Sequence, residues 1–383
     1  MLVQPPLSLY IHIPWCVQKC PYCDFNSHAL KADIDEENYI RHLLLDLDND
    51  IKQFHIDRPL YSIFIGGGTP SLFSAKAIHT LLAEVFKRFP KHPDKNFKVE
   101  VTMEANPGTV EADKFRGFKE AGVNRLSIGV QSFESDKLIK LGRIHDNKQA
   151  IRAAEIAKEC GIDSFNLDLM HGLEQQSIEG ALDDLRQAIA LKPNHLSWYQ
   201  LTIEPNTSFY SKPPTLPEDD VLWDIQEQGF ELLKSSGYQQ YEISAYSNGE
   251  QYQCRHNLNY WQNGDYLGIG CGAHGKITDQ DTIYRTVKVK HPKGYMDDER
   301  EHLDHAHEVA NTERPFEYMM NRLRLFKPFT LDDYQQATGL PVETVEPALI
   351  TAKNKQLVSQ TGEQWQVTTT GHRYLNDLLS LFL

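Results

Sequence analysis

Short runs of apolar, β-branched and aromatic residues recur along the first half of the chain, and amphipathic stretches separate them. Most of these runs are almost continuously apolar, which is typical of parallel strands covered by helices. They predict strands at Leu7–Ile13, Tyr61–Ile65, Phe97–Glu104, Arg125–Gln131, Phe165–Met170 and Leu196–Ile203. The stretches between them predict helices that include Glu36–Phe54, Ala75–Phe89, Asn147–Cys160 and Ile178–Leu191. This succession predicts an α/β fold, most simply an open or partial barrel, although a doubly wound sheet has the same local pattern.

The alternation of strands and helices ends near residue 205. Proline and glycine interrupt 213–217 and 263–275, and the charged, histidine-rich stretch 282–307 predicts a connector. From Pro315 onward the pattern predicts three helices, two short strands and a last helix, an arrangement that resembles a winged-helix module. We therefore predict three regions, which are a barrel core at 1–205, an extension that completes the core at 206–312, and a C-terminal winged-helix-like domain at 313–383.

Composition narrows the classes of function. The 383 residues carry a formal net charge of −14, which argues against a large nucleic-acid interface because phosphate binding needs a concentrated basic surface. No apolar run reaches the roughly 18 residues that a membrane span needs, and the N-terminus shows no signal-peptide pattern. We expect a cytoplasmic protein, in which clustered cysteines indicate a metal site more than a disulfide.

Three of the six cysteines, Cys16, Cys20 and Cys23, lie within eight residues of one another. Cysteine thiolates are the usual ligands of [4Fe–4S] clusters. Three of them can bind three corners of a cubane and leave the fourth iron open to another ligand. The loop follows the first predicted strand, so the cluster is expected at the carboxyl end of a parallel strand, where α/β folds place their chemistry.

The same three cysteines are also compatible with a zinc site or with simple packing. A zinc site would need a fourth ligand, for which His12 and His28 are close enough in sequence. Three packing thiols are the simplest alternative. Outside the cluster segment, we expect Cys160 and Cys271 to be packing residues. His302, His305 and His307 show no metal-ligand spacing, and we expect them to lie in a solvated segment.

The C-x3-C-x2-C spacing, with Tyr22 before the last cysteine, resembles the signature of the radical S-adenosylmethionine (SAM) superfamily. In that family the open iron of the cluster binds SAM, which is then cleaved reductively. The segment 66–70, Gly-Gly-Gly-Thr-Pro, is similar to the part of the family that holds the amino group of SAM, with Thr69 where many relatives carry Glu. Polar residues also end the later predicted strands, at Glu104, Gln131 and Asp168, which favours a shared ligand site over separate structural roles.

The segments GGGTP, MEANPG, RLSIGVQSF and LDLMHGL together resemble oxygen-independent coproporphyrinogen III oxidase and its relatives, over roughly residues 7–380. The resemblance implies a partial (β/α)6 TIM-type barrel of the radical SAM type and one or two SAM sites. The residues that it implies as SAM-binding are Tyr10, Tyr22, Gly67, Gly68, Thr69, Glu104, Gln131, Arg143 and Asp168. Among these, Arg143 would supply a cation for a carboxylate.

Two departures from the oxidase point to the HemW branch of this group, whose members are heme chaperones. Phe25 stands where the oxidase has a further cysteine, and Cys16 leaves almost no room for the long extension that precedes the oxidase cluster. The branch carries an H-N-x-x-Y-W motif, present here at 256–261. The resemblance implies heme contact by His256, Asn257, Tyr260 and Trp261. Imidazole is a suitable axial ligand. From the residues alone, however, a loop with its aromatic rings folded inward is the favoured explanation of the motif. Cys254 is an alternative ligand, although a buried inert thiol is the favoured interpretation of it.

The resemblance implies a protein that binds a [4Fe–4S] cluster, SAM and heme, and that transfers heme to acceptor hemoproteins, respiratory-chain enzymes at the membrane among them. An electron donor for the cluster is implied as well, and a homodimer is left open. The alternative function is that of the oxidase itself, the radical oxidative decarboxylation of coproporphyrinogen III propionates. Action on RNA is disfavoured by the acidic balance of the chain.

Overall fold

The computed structural model describes residues 2–109 and 111–383. Its strands are β1 Leu7–Ile13, β2 Trp15–Cys16, β3 His28–Ala29, β4 Leu60–Gly67, β5 Glu100–Ala105, β6 Arg125–Gln131, β7 Ser164–His171, β8 His195–Gln200, β9 Gln239–Glu242, β10 Ala245–Ser247, β11 Asp265–Ile269, β12 His274–Asp279, β13 Thr282–Lys288, β14 Leu303–Glu308, β15 Phe329–Thr330, β16 Val358–Thr361 and β17 Gln364–Val367.

Its α-helices are α1 Glu36–Gln53, α2 Ala75–Arg88, α3 Ala112–Ala121, α4 Ser135–Lys140, α5 Asn147–Glu159, α6 Ile178–Ala190, α7 Ser208–Ser211, α8 Asp219–Ser235, α9 Arg255–Trp261, α10 Pro292–Tyr295, α11 Arg314–Arg322, α12 Leu331–Thr338, α13 Glu346–Asn354, α14 Thr369–Arg373 and α15 Leu375–Leu379. None of the helices in the described part of the chain is long and apolar enough to cross a membrane.

Twelve strands form one large sheet in the order β14-β13-β12-β11-β1-β4-β5-β6-β7-β8-β10-β9. The pairs from β1 through β4, β5, β6 and β7 to β8 are all parallel, which confirms the predicted partial barrel. Every one of the six predicted strands is present, and β1 and β6 have the predicted bounds. The interior strands are nearly continuously buried, so the apolar runs in the sequence correspond to strands covered by helices.

The extension of the sheet was only partly predicted. Strand β11 pairs in parallel with β1, within a stretch that we expected to be interrupted by glycines. Strands β13 and β14 pair antiparallel with each other, although the segment 282–307 was predicted to be a connector, and that prediction is wrong. The residues of β14 are mostly exposed and polar. This strand lies at the edge of the sheet and has no buried face, so its sequence shows no apolar pattern.

Local sequence signals explain where several helices begin and end. The side chain of Asp35 accepts a hydrogen bond from the N–H of Asn38 and caps α1. A capping box between Asp146 and Gln149 begins α5. Helix α3 ends at Gly122 in a left-handed conformation with φ of 112°, which favours glycine because it has no Cβ. These helices carry the loops that surround the open end of the barrel.

The C-terminal part of the chain has a hydrophobic core of its own. Side chains from α11, α12, α13 and the small sheet β15-β17-β16 surround the buried ring of Trp365. This arrangement of helices with a hairpin agrees with the predicted winged-helix-like domain. The predicted region boundaries at 205 and 312 stay predictions. Strands β11 to β13, which lie in the second predicted region, belong to the same large sheet as the barrel strands.

Helix α9 closes the barrel at the end where the parallel strands begin. Glu100, the first residue of β5, accepts hydrogen bonds from the backbone N–H groups of Arg255 and His256 at 3.2 and 3.1 Å. The carboxylate therefore caps the first turn of α9. Because the cysteines follow the carboxyl end of β1, α9 and the cysteine loop lie at opposite ends of the barrel.

Candidate cofactor site at the carboxyl ends of the strands

The cysteine loop begins where β1 ends. Cys16 is the last residue of the short strand β2, and β3 pairs with β2 in parallel at the other end of the loop. All three side chains, Cys16, Cys20 and Cys23, are partly exposed and line one cavity of about 300 Å³. The structure therefore brings the three predicted cluster ligands to a shared space at the mouth of the barrel.

Two of the cysteines in this loop have a close polar neighbour. Nη1 of Arg143 lies 3.7 Å from Sγ of Cys20, and Oγ of Ser27 lies 3.7 Å from Sγ of Cys23. Burial raises the pKa of the Cys16 and Cys23 thiols, so these sulfurs need a positive partner to become thiolates. An iron cluster is such a partner, since metal binding deprotonates the thiols that coordinate it.

The described residues contain no group of three His, Cys, Asp or Glu side chains arranged to hold a single metal ion. A cubane does not require that arrangement, because each thiolate binds a different iron and the sulfurs need not converge on one point. Three thiols around a cavity, with a guanidinium against one of them, fit a [4Fe–4S] cluster of which one iron has no protein ligand.

The glycine triplet packs directly on the segment that leads to Cys16. The N–H of Gly68 donates to the carbonyl of Ile13 at 2.7 Å, and the N–H of Thr69 donates to the carbonyl of Trp15 at 2.7 Å. A Cβ on Gly67 would overlap the ring of His12, and one on Gly68 would lie 2.5 Å from the carbonyl oxygen of Trp15. Glycine is required here because the end of β4 approaches the cysteine segment so closely.

His12 links this strand end to the cysteine loop. Its Nε2 lies 2.9 Å from the carbonyl oxygen of Asn26, which can only accept, so Nε2 carries the proton. Its Nδ1 then accepts from the hydroxyl of Tyr10 at 2.9 Å. Burial lowers the pKa of His12 to about 4, which keeps the imidazole neutral in this role. Asn26 in turn donates from Nδ2 to the carbonyl of Cys271 at 2.9 Å, which ties the loop to the turn after β11.

Two carboxyl groups face the cavity from β5 and β7. Oε2 of Glu104 accepts from the N–H of Gly67 at 2.9 Å, and burial together with the nearby Asp168 raises the pKa of Glu104 to about 8. Burial also raises the pKa of Asp168, while hydrogen bonds from Ser127 and Asn166 oppose that shift. Two buried carboxyls that repel each other are a suitable receptor for a positively charged ligand, which would restore both charges.

The backbone of β6 is distorted where it reaches the cavity. Gln131 has a φ of 68°, in the left-handed region, and the pairing of β6 with β7 shifts register between Gly129 and Gln131. This bulge directs the Gln131 side chain into the cavity, where its Oε1 accepts from the hydroxyl of Tyr199 at 2.8 Å. Non-glycine residues in this conformation are strained and concentrate at functional sites.

Eight of the nine predicted SAM-binding residues line the cavity. These eight are Tyr22, Gly67, Gly68, Thr69, Glu104, Gln131, Arg143 and Asp168. Tyr10 does not line it, and contacts the site through His12 instead. Sequence reasoning missed Ser127, Gly129 and Tyr199, which also line the cavity. For Ser127 and Gly129 the sequence did contain a signal, because they precede Gln131 at intervals of two along β6, and alternate residues of a strand share a face.

The predicted heme motif lies away from this cavity, on α9. The imidazole of His256 is buried, with Nδ1 at 3.0 Å from Oγ of Ser62 and Nε2 at 2.7 Å from the hydroxyl of Tyr260. Trp261 packs under the guanidinium of Arg324, and Asn257 is half-buried. In this conformation both ring nitrogens of His256 are engaged, so coordination of a heme iron by His256 would require one of these two hydrogen bonds to break.

The cysteines and histidines outside these sites have structural surroundings. Cys254 and Cys271 are buried, while Cys160 is half-buried. His302 was expected in a solvated segment, but it is buried and its Nε2 lies 2.9 Å from Nδ1 of His42, so that expectation is wrong. The change in environment follows from the pairing of β14 with β13, which carries the start of this segment against α1.

Comparisons with known proteins agree with the fold and the cysteine spacing described above. The model of the radical SAM superfamily matches residues 10–185, and the model of the HemN C-terminal domain matches residues 309–374. The fold resembles the solved structure of coproporphyrinogen III oxidase (HemN) from Escherichia coli with a TM-score of 0.82. That match covers 99% of this chain and 90% of the oxidase at 23% sequence identity, and it therefore supports the fold alone.

Three bacterial relatives match this chain almost from end to end, and all are named heme chaperone HemW. The protein of Escherichia coli is 56% identical and covers 100% of both chains. The protein of Haemophilus influenzae is 55% identical, with 99% of this chain and 98% of the relative covered. The protein of Bacillus subtilis is 34% identical, with 98% and 99% covered.

Fold and site together define a radical SAM protein with a HemN-type C-terminal domain. Within that superfamily, the chain belongs to the HemW family.

Proposed function

We propose that this protein is a heme chaperone that holds a [4Fe–4S] cluster and SAM at the mouth of the barrel, binds heme and transfers it to acceptor hemoproteins. The observation that carries the proposal is the cavity that three cysteines share with Glu104 and Asp168, in a chain that the Escherichia coli HemW matches from end to end. The proposed location is the cytoplasm, and the proposed acceptors include respiratory-chain enzymes at the membrane.

The residues of the cavity have separate roles in this proposal. Cys16, Cys20 and Cys23 would hold three irons, and a bound, reduced cluster can supply one electron to SAM. The carboxyls of Glu104 and Asp168 would meet the positively charged and hydroxyl groups of SAM, and Tyr22 and Tyr199 would pack against its apolar parts. Because SAM carries an ammonium and a sulfonium, its binding would allow both buried carboxyls to ionise.

Heme contact is assigned in this proposal to the motif on α9, with His256 as the axial ligand and Asn257, Tyr260 and Trp261 as its neighbours. The supporting facts are the motif itself and the exposure of its outer part, since Asn257, Tyr260 and Trp261 are each half-buried. His256 has one hydrogen-bond partner on each ring nitrogen, so heme binding at this residue would have to displace either Ser62 or Tyr260. Because His256 is only 1% exposed, we expect heme binding to be accompanied by a movement of α9.

The experiment that tests this assignment is an anaerobic hemin titration of the reconstituted protein, followed by the Soret absorption. We expect His256→Ala to weaken hemin binding by about tenfold or more, because loss of an axial ligand removes the iron–nitrogen bond. His55→Ala is the control, since His55 is an exposed imidazole whose side chain pairs with Asp279. Equal hemin affinity in the two variants, at equal cluster content, would refute the assignment of heme contact to His256.

The second candidate is the oxidase activity, and one observation favours it. The cavity retains eight of the nine residues implied to bind SAM, as a SAM-dependent enzyme would require. Phe25, the residue at the position of the further cysteine, is 58% exposed at the rim of that cavity. An anaerobic assay with SAM, a reductant and coproporphyrinogen III decides between the two, since sustained formation of protoporphyrinogen would establish the oxidase.

A further inference from the structure

A chain of four hydrogen bonds runs through the interior of the barrel, from the start of α9 to the carboxylate of Asp168. The backbone N of Cys254 lies 3.1 Å from the hydroxyl of Tyr241, and that hydroxyl lies 2.7 Å from Nε2 of His195. Nδ1 of His195 lies 2.7 Å from Oδ1 of Asn166, and Nδ2 of Asn166 lies 2.7 Å from Oδ1 of Asp168. The chain therefore joins the two ends of the barrel.

The two ends of this chain determine the direction of every hydrogen bond in it. The N–H of Cys254 can only donate, so the hydroxyl of Tyr241 accepts there and donates its own proton to His195. Nε2 of His195 is then the acceptor, and Nδ1 carries the proton that it donates to Oδ1 of Asn166. The amide of Asn166 is left with Nδ2 facing Asp168, where a carboxylate accepts. All four donors consequently point toward the cavity.

Side branches agree with this orientation of the Asn166 amide. Its Nδ2 also donates to Oγ of Ser127 at 2.8 Å, and its Oδ1 also accepts from Oγ of Ser197 at 3.2 Å. Oγ of Ser127 donates to the second oxygen of Asp168 at 3.0 Å. If the amide were turned over, the carbonyl of Asn166 would face the carboxylate of Asp168, and the two acceptors would repel each other.

His195 lies in the middle of this chain of hydrogen bonds, between Tyr241 and Asn166. It is 1% exposed, and burial lowers its pKa well below the ordinary value, so the ring is neutral and has one donor and one acceptor nitrogen. It lies at the first position of β8, far from the cysteine loop in sequence and on the side of the barrel where α9 closes it. A buried imidazole with both nitrogens paired fixes the orientation of its neighbours.

We propose that His195 is a positioning residue for the SAM pocket, which holds Asn166, and through it the Asp168 carboxylate, in the orientation that the bound ligand meets. The inference rests on the proposed SAM site, and it adds a residue that does not touch the cavity. Each member of the chain is paired, as buried polar groups must be because they are costly unless their partners satisfy them.

The test compares two substitutions at one position. The variant His195→Asn places an amide nitrogen near the position of Nδ1, and this nitrogen can still donate a hydrogen bond to Asn166. The variant His195→Leu fills the same space with apolar atoms and has no hydrogen-bond donor. We expect His195→Leu to weaken SAM binding to the cluster-loaded protein by about tenfold, the effect of one positioning hydrogen bond to a charged group, and His195→Asn by less than about threefold.

SAM affinity is measured anaerobically by calorimetry on the reconstituted protein, without heme, and the change that SAM causes in the electron paramagnetic resonance spectrum of the reduced cluster is recorded on the same samples. A role in packing alone predicts the opposite order, since leucine fills a buried space better than asparagine does. Equal affinities in both variants, or weaker binding by the asparagine variant, would overturn the proposal.

Tyr241→Phe provides a second test that keeps the aromatic ring in place. It removes the hydroxyl that donates to Nε2 of His195 and leaves that buried nitrogen without a partner, and we expect SAM binding about threefold weaker. Unchanged SAM affinity in this variant would contradict the chain. If the unsubstituted protein itself failed to bind SAM, the proposed function would fall together with this inference, whereas normal binding in every variant would remove the inference alone.

Discussion

Nη1 of Arg143 lies 3.7 Å from Sγ of Cys20, and Nη2 of the same guanidinium donates to the carbonyl of Gly129 at 2.7 Å. Arg143 follows α4 and Gly129 lies within β6, so this side chain connects the cysteine loop to the wall of the barrel. A guanidinium against the sulfur favours the negative charge that a cluster ligand carries. Arg143, which the resemblance implies as a cation for a ligand carboxylate, therefore contacts one of the three predicted cluster ligands as well.

Arg143→Leu should reduce the retention of the cluster. Partners that contact a metal ligand typically change metal affinity by about 10- to 100-fold, and we expect a loss near the lower end because Cys16 and Cys23 keep their surroundings. The measurement is iron and acid-labile sulfide per chain after reconstitution and gel filtration, without SAM. Lys140→Met serves as the control, since Lys140 pairs with Glu174 near the surface; equal loss in both would remove the assigned role.

Gly67→Ala should both destabilise the fold and weaken SAM binding. Gly67 has a φ of 112°, and a Cβ there would overlap the ring of His12. The control is Gly237→Ala, where φ is 87° but nothing lies within 4 Å of the added atom. We expect the control to cost about 1 kcal/mol and Gly67→Ala about 2–3 kcal/mol more, measured by denaturant unfolding of the cluster-free protein. Equal costs would mean that the ring of His12 moves freely.

Glu104→Gln should reduce the pH dependence of stability. The folded protein raises the pKa of Glu104 to about 8, so between about pH 4.5 and 8 the folded state binds more protons at this group than the unfolded state. The free energy of unfolding therefore falls as the pH rises through that range. Glutamine resembles the protonated form, so the variant should be more stable than the unsubstituted protein at pH 8 by about 2–4 kcal/mol.

The measurement is the free energy of unfolding of both cluster-free proteins at pH 5 and pH 8. Carboxyls with raised pKa values that do not interact with Glu104, such as Asp184 at about 7, contribute equally to both proteins and cancel in the difference, whereas the repulsion between Glu104 and Asp168 is part of the measured effect. Parallel pH profiles for the two proteins would show that Glu104 is ionised in the folded state. At pH 8 the variant should also bind SAM more weakly, because it cannot supply a negative charge.

Lys288→Met should destabilise the attachment of the antiparallel strands to the barrel. Nζ of Lys288, at the end of β13, lies 2.5 Å from Asp46 and 2.6 Å from Asp50, and all three side chains are buried. Removing the ammonium leaves two carboxyls without their cation, at a cost of about 3–5 kcal/mol. The check is thermal unfolding, with Lys87→Met as the control because its pair with Glu84 is largely exposed and should contribute less than about 1 kcal/mol.

Much of the barrel could be predicted from the sequence. Strand β1 and strand β6 have the predicted bounds, because a strand buried on both faces needs apolar side chains at nearly every position. The shared cavity of Cys16, Cys20 and Cys23 could be predicted too, since the three cysteines lie within one short loop, and their role as cluster ligands stays a prediction from their spacing. Local patterns of this kind depend only on neighbouring residues.

The exposed extension of the sheet could not be predicted in the same way. Strand β14 is polar and lies at the edge, where no buried face imposes alternation, so Leu303–Glu308 carries no strand pattern. His302, just before it, gives no sign in the sequence of its contact with His42 on α1, which lies 260 residues away. Such contacts arise only when the sheet has formed.

The same distinction applies to function. The sequence by itself determined the candidate site, with its three clustered cysteines, its glycine triplet and the polar residues at the strand ends, because each belongs to a short segment with its own chemistry. Only the tertiary structure decided that His256 faces the barrel interior with both nitrogens paired, and that His195 connects Asn166 to the start of α9. The physical reason is that burial and hydrogen-bond direction depend on partners from distant strands, which no local pattern records.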